Sequence, residues 1–283
     1  MSRVIRSVKR MATFARRLQQ QGKCVGVVPT MGALHEGHLS LIRAAASHND
    51  VVIVTVFVNP LQFGPGEDFK RYPRQLARDV RLARAAGADF IFAPVATQLY
   101  PPSFQTEIEV GVLAQRWEGQ SRPGHFRGVA TVVTILFHLT RPSNAYVGQK
   151  DYQQAVVIRR LVEDLRLPVR IHVLPTVREP DGVAMSSRNT YLSVAERAAA
   201  HVLSQALDLA RRRIRAGERH AEPLIDAMRH LISEAPSARI DYVAIVDAKT
   251  LQSQWRLRGR VAILLAVWMG RTRLIDNLLV DVS

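Results

Sequence analysis

Two histidines three residues apart, His35 and His38, lie in the stretch PTMGALHEGHLSLI, between an apolar run ending at Val28 and an amphipathic run. A strand ending at Val28 and a helix beginning near Gly37 place both imidazoles at a helix N-terminus. There, unpaired backbone N–H groups and the helix dipole favour an anion. The three-residue spacing lets both rings face one side. Gly37 keeps the surface between them bare, so that a nucleotide can approach the backbone. Charge stabilisation on phosphate oxygens is the chemistry that this pattern suits, whereas a chance pair of turn histidines would not carry the full strand–HxGH–helix order.

Three further segments carry candidate groups. In Ala184-Met185-Ser186-Ser187-Arg188-Asn189, serine hydroxyls and backbone amides can donate to phosphate oxygens, and Arg188 offers them a planar fork. Standing alone, such a loop would more simply cap the helix after it. In Gly148-Gln149-Lys150-Asp151-Tyr152-Gln153-Gln154, Lys150 is a compact charge suited to an α- or β-phosphate. Asp151 can accept from a ribose hydroxyl or cap the next helix, and Gln154, a turn further on, is expected to point back toward the strand ends. In Phe57-Val58-Asn59-Pro60-Leu61-Gln62-Phe63, the amides can recognise hydroxyls and carboxylates without adding charge.

These segments need a scaffold that delivers them together, and the apolar pattern supplies one. Runs at 24–28, 51–58, 89–93, 144–147 and 169–174 read as buried strands. Helical patterns at 8–21, 39–47, 74–86, 128–139 and 152–165 lie around and between them. The alternation predicts an α/β fold, a Rossmann-like parallel sheet with helices on both faces and ligands at the carboxyl ends of the strands. Beyond Arg178-Glu179-Pro180-Asp181-Gly182 the pattern changes to helices at 194–216 and 221–233, then strands at 240–246, 261–269 and 272–279. That predicts a smaller α+β C-terminal domain, with residues 1–176 as the first domain and 177–283 as the second.

Composition narrows the function classes. With 283 residues, 47% of them hydrophobic, the chain can bury a sizeable core, and it has no apolar run near the roughly 20 residues of a membrane span. Its one cysteine, Cys24, excludes an intramolecular disulfide and a Cys-rich zinc site, and it is expected to be a small buried hydrophobe in a cytoplasmic protein. A net charge of +15 invites a nucleic-acid reading. However, only five of the 39 basic residues are lysines, and the arginines are dispersed rather than gathered around aromatics. Small anionic substrates are a sufficient use for that potential. The first 35 residues hold seven basic residues and no acid, as transit peptides do, but the predicted helix there runs straight into the first strand and the N-terminus is expected to be mature.

Read in order, PTMGALHEGHLSLI, FVNPLQF, EDFKRYPR, SRPGHFRGVATVV, VGQKDYQQ and REPDGVAMSSRNTYLS resemble the pantothenate synthetase family, within the HxGH superfamily of nucleotidyltransferases and adenylate-forming ligases. The resemblance runs from about Val25 to Leu192. It implies a ligase that condenses (R)-pantoate with β-alanine at the expense of ATP, through a pantoyl adenylate, releasing AMP and pyrophosphate.

By motif, His35, His38, Lys150 and Arg188 would form the catalytic set, with His38 the proton donor and charge stabiliser. Met31, Gly32, Ala33, Leu34, His35, Glu36, Gly37 and His38 would line the nucleotide site. Gly148, Gln149, Lys150 and Asp151 would also bind ATP, Val177 would touch adenine, and Met185, Ser186, Ser187 and Arg188 would close over the phosphates. Gln62 and Gln154 would hold pantoate, with Gln62 also near β-alanine. The resemblance implies a homodimer, and Mg²⁺ would arrive mainly on the ATP phosphates with no protein ligand assigned. Asp79 is left out of any metal set. Arg122 is either an anion-steering or a solvated loop residue, and His125 has no assigned step.

Overall fold

The computed structural model describes residues 3–282. Six parallel strands, β1 (Arg3–Ile5), β2 (Val25–Thr30), β3 (Val51–Val56), β4 (Phe90–Phe92), β5 (Asn144–Gly148) and β6 (Arg170–Leu174), form one sheet in the order β1-β4-β3-β2-β5-β6. Side-chain alternation explains why helices cover both faces. Val25, Val27, Ile53, Ala145 and Val147 enter one buried cluster, while Val28, Val52, Val54 and Tyr146 enter another. Strands buried on both sides read as continuous apolar runs and need a helical layer on each face.

The first layer contains α1 (Val8–Gln20), which buries Met11, Ala15 and Leu18 at helical spacing behind its Ser7 cap. The facing layer is α2 (Glu36–Ala46) and α3 (Leu76–Ala85), through residues such as Leu41, Ile42 and Ala83. Short helices α4 (Ala96–Leu99) and α5 (Glu118–Ser121) follow, then α6 (His125–Thr140) and α7 (Tyr152–Asp164), whose Val129, Val133, Val157 and Ile158 join the first layer. The sheet order reverses at β2, which has β3 on one side and β5 on the other. In open α/β sheets, the crevice beyond the strand ends at such a reversal is where ligands bind.

Around the parallel sheet the structure departs from the sequence reading in four places. β1, not expected from sequence, is only three residues long and pairs with β4 at the sheet edge; so short a segment leaves no periodic signal. β2 continues past Val28 to Thr30 even though Pro29 has no N–H. The β2–β5 ladder spans Gly26 and Val27 only, so the proline lies beyond the pairing on that side. α6 begins at His125, nearly a turn before Gly128, after Gly124 at φ +81°. Cys24 is half-buried rather than core, since it precedes β2 and engages Asn49 and Asn144 through its sulfur.

Contacts divide the chain into two compact units. The second takes in the chain from Thr176 onward and also Arg116–Ser121 and Lys150–Gln153. In it, α8 (Val194–Ala199), α9 (Val202–Arg215) and α10 (Ala221–Ser233) accompany an antiparallel meander of β7 (Ala238–Asp247), β8 (Gly259–Met269) and β9 (Thr272–Val282). Alternate β8 residues Val261, Ile263, Leu265 and Val267 pack with Leu203, Leu207, Leu224 and Met228 of the helices. The helix expected at 194–216 is two helices. Ala200 and His201 tighten the chain there (ψ −19° and −17°), and Leu203 N–H bonds to the Ala200 carbonyl three residues back.

The outlying segments belong to this unit through buried polar contacts. Glu118 pairs with Arg273 at 2.8 Å, the Gln153 amide accepts from Glu118 N–H and donates to the Arg116 carbonyl, and the Tyr152 hydroxyl donates to the Ala248 carbonyl. Among the described residues, no helix is long and apolar enough to cross a membrane.

Candidate active site

The β2–α2 loop is held from behind by a carboxylate. Ala33 takes a left-handed conformation, φ 51°, next to Gly32 at φ 86°. Two such residues in succession turn their N–H groups inward, and the side chain of Asp79 on α3 receives the loop. Its oxygens accept from Ala33 N–H at 3.0 Å and Leu34 N–H at 2.8 Å, and Asp79 is 1% exposed. The neighbouring Arg78 donates to the Leu34 carbonyl at 3.2 Å. A strained non-glycine conformation persists where its surroundings over-determine it, and here Asp79 does so. Asp79 therefore acts on the loop backbone, with both oxygens occupied. Motif reading missed it because the partners lie 45 and 46 residues apart.

At the start of α2 the two histidines cap the helix reciprocally. His35 Nδ1 accepts from Gly37 N–H at 3.2 Å, and His38 Nδ1 accepts from His35 N–H at 3.4 Å. The ring centroids are 4.2 Å apart. When Nδ1 accepts, the neutral ring carries its proton on Nε2. Each imidazole is therefore set as an Nε2–H donor. Gly37 has a packing reason as well, because a Cβ there would come within 2.9 Å of the His35 ring itself. The glycine makes room for the first histidine to fold back. Glu36 pairs with Arg43 along the surface of α2.

The β3 loop fixes Gln62, which is 8% exposed, through a chain of amides. Asn59 Oδ1 accepts from the Tyr100 hydroxyl at 2.8 Å and from Leu61 N–H, which leaves Asn59 Nδ2 to donate to Gln62 Oε1 at 2.9 Å and to the Gly128 carbonyl. Burial pushes the Tyr100 hydroxyl well above the usual phenol value, so it stays a donor. With Oε1 committed, Gln62 presents Nε2, which contacts Met31 Sδ at 3.4 Å. This contact joins the Gln62 loop to the histidine loop.

The Gln62 backbone is fixed as well. Its carbonyl is shared by Arg122, at 3.1 Å, and His125 Nδ1, at 2.9 Å. Arg122 also grips Glu67 through two bonds of 2.8 and 2.7 Å. Burial alone would raise the Glu67 carboxyl, but the Arg122 bond and charge, with lesser help from Gly64 and His125, hold it below the usual carboxylate range. Arg122 and His125 thus position Gln62. Gly128 is required by close approach, since a Cβ would lie 2.2 Å from the Leu61 carbonyl oxygen.

Gln154 is partly buried in the first turn of α7. Gly148 and Gln149 close β5 and belong to the first unit, whereas Lys150 and Asp151, ion-paired at 3.5 Å, belong to the second.

In the second unit, Val177 and Met185 are brought together as partners in a narrow hairpin. Met185 N–H donates to the Val177 carbonyl at 3.0 Å, and Arg178 pairs with Ala184. Ser186 Oγ accepts from Arg188 N–H at 3.2 Å, capping the short 3-10 helix Ser187–Tyr191. Polar side chains hold the hairpin. Arg197 reaches Glu179 at 2.7 Å and Asp181 at 2.6 Å, and Asn189 donates to Glu179 and to the Ala184 carbonyl. The Asp181 carboxyl is lowered chiefly by Arg197. For Glu179, burial would raise the carboxyl, but its bonds to Arg197 and Asn189 overcome that.

Fold and site together define a Rossmann-like α/β protein whose parallel sheet reverses beside an HxGH loop, with the buried Gln62 amide touching Met31 of that loop. Comparison with known proteins makes the assignment specific. The model of the pantoate–β-alanine ligase family matches residues 3–279, and the chain belongs to that family of ligases.

It is 52% identical to the pantothenate synthetase of Moorella thermoacetica, over 99% of both chains, and 56% identical to that of Roseiflexus castenholzii, over 91% of this chain and 92% of the relative. A pantothenate synthetase crystal structure from Thermus thermophilus superposes with a TM-score of 0.93 at 46% identity, covering 98% of each chain. The pantoate–β-alanine ligase of Francisella tularensis, complexed with βγ-ATP and β-alanine, gives 0.80 at 36% identity, covering 99% of this chain and 98% of that one.

Proposed function

We propose that this chain joins (R)-pantoate to β-alanine, with ATP as the activating substrate. A pantoate carboxylate oxygen attacks the α-phosphorus, the bond to the bridging oxygen breaks, and pyrophosphate leaves. The β-alanine amine then attacks the acyl carbon of the pantoyl adenylate. The amide bond forms, AMP departs, and the amine loses a proton. The observation that carries this reading is the reciprocal cap of His35 and His38, which orients two Nε2–H donors from one loop. In-line displacement at phosphorus depends on alignment and charge neutralisation rather than on a protein nucleophile.

In this reading His35 and His38 meet ATP along the loop from Met31 to His38, and His38 donates as charge builds on the leaving phosphate. Gln62 Nε2 donates to pantoate, with Gln154 as the second amide. Neutral amides suit a carboxylate that must remain nucleophilic. Lys150 and Arg188 contribute cations to the phosphates, Met185, Ser186 and Ser187 close over them with Arg188, Gly148, Gln149 and Asp151 accompany the adenosine, and Val177 meets adenine. Both oxygens of Asp79, the carboxylate behind the histidine loop, are taken by backbone N–H groups. Mg²⁺ therefore enters as part of the ATP substrate, carried by phosphate oxygens and water. We further propose a homodimer working in a reducing cytoplasm.

The test is pyrophosphate release from ATP and pantoate, with and without β-alanine. Turnover beyond one equivalent only with the amine, with free AMP and pantothenate as products, supports the two-step scheme. An adenylylated product that accumulates regardless of the amine would instead mark a nucleotidyltransferase.

A further inference from the structure

Two buried polar residues of the second unit, Asp276 and Asn277 on β9, are each 3% exposed. A central apolar pair would suit this strand better unless the polar groups had work to do. The Asn277 amide donates to the Lys150 carbonyl at 2.9 Å, bridging 127 residues of sequence. Asp276 takes the Arg178 guanidinium through paired bonds of 2.6 and 2.9 Å. Arg178 in turn donates to the Gly182 carbonyl at 2.9 Å and pairs with Ala184, so it joins both arms of the hairpin that leads into Met185–Arg188. Asp276 also accepts from the Asn277 backbone N–H at 2.8 Å, which fixes the Asp276 carboxylate against the strand.

Lys150 and the Met185–Arg188 loop lie in separate parts of the sequence, yet within this unit both are tied to successive residues of one strand. We propose that Asp276 and Asn277 are positioning residues for adenylate formation. They set the spacing between the Lys150 ammonium and the Arg188 guanidinium so that one triphosphate can engage both. The inference rests on the proposed roles of Lys150 and Arg188 as phosphate contacts. A guanidinium–carboxylate fork and an amide–carbonyl bond are directional, as such a spacer requires. Neither Asp276 nor Asn277 needs to touch substrate.

Double-mutant cycles on pyrophosphate release test this. Asn277→Leu removes the donor at similar volume, and kcat should fall about ten- to a hundredfold, the range for a displaced charge-positioning group, with KM for pantoate unchanged. Combined with Lys150→Ala, it should cost less than about twofold more, because its target is gone. Asp276→Asn should couple in the same way to Arg188→Ala. Losses that add fully in every pairing, or a rise in the KM for pantoate with kcat intact, would overturn the proposal. If Asn277→Leu does not fold, as judged by thermal denaturation, Asn277→Ala takes its place in the same cycle. Wild-type enzyme that releases no pyrophosphate would instead overturn the functional reading itself, so the two failures are distinguishable.

Discussion

The loops Met31–His38 and Met185–Arg188, both proposed here to meet ATP, are built on different contacts. The first is held by a carboxylate that is almost wholly buried, and that carboxylate bonds to backbone N–H groups of a loop in an uncommon conformation. The second is reached from two sides: the buried Asp276 holds Arg178 at the base of its hairpin, and Arg197 pairs with Glu179 and Asp181, whose acidic side chains are 30% and 44% exposed. Bonds of the first kind are little screened by salt and fix atoms closely, whereas exposed pairs add little stability and weaken with ionic strength. A rigid first loop suits the groups that must meet the reacting phosphate in fixed geometry. The second loop combines one buried anchor with exposed pairs that salt weakens.

The strongest way to break this contrast is at the histidines. His38→Ala should lower pyrophosphate release about 10²–10³-fold, the cost of one charge-stabilising donor. Near-normal release in the folded variant would remove His38 from that role. Next comes the anchor behind them. Asp79→Ala strands two buried N–H groups at about 1–3 kcal/mol each, so urea denaturation should show a loss of that order together with slower pyrophosphate release. If Asp79→Ala melts like wild type, the loop is not held as described.

Gly128→Ala should cost about 1–3 kcal/mol, as overpacking does. It should also raise the KM for pantoate more than that for ATP, because the intruding Cβ meets the Leu61 carbonyl beside Gln62. Equal changes in both constants would indicate general misfolding.

The smallest effect sharpens the second half of the comparison. Arg197→Ala should change stability by less than about 1 kcal/mol, but with a pH signature. The Glu179 and Asp181 carboxyls are depressed in the folded chain. Their stabilisation is therefore present above the unfolded carboxylate pKa of about 4 and is lost as pH falls through the lower folded values. The Tm gap between wild type and Arg197→Ala should be open near neutrality and should close on acidification below about pH 4. A gap that persists in acid would mean that packing rather than charge holds the hairpin.

Much of the architecture was legible in one dimension. Apolar runs of strand length alternating with helical periodicity mark β2, β3, β5 and β6 and their helices, because a strand buried on both faces and a helix buried on one leave local, repeating traces. HxGH, FVNPLQF, QKDYQQ and MSSR are likewise contiguous; residue type and spacing single out His35 and His38, whereas Gln62 and Arg188 gain weight only beside the other motifs and the family resemblance. Local patterns also misled. Residues 194–216 looked like one helix and are two.

Only the folded chain decided what holds those groups. Asp79 to Ala33, His125 and Arg122 to Gln62, Tyr100 to Asn59, and Asn277 to Lys150 are bonds between residues roughly forty to well over a hundred positions apart. Such contacts have no period and no motif. Each is a single pairing of a buried donor with a buried acceptor, demanded because neither can reach water. The neighbours Gln153 and Gln154 show the same limit, since one anchors the second unit and the other begins the first unit's share of α7. Nothing in two identical side chains distinguishes them; about 100° of helix rotation does.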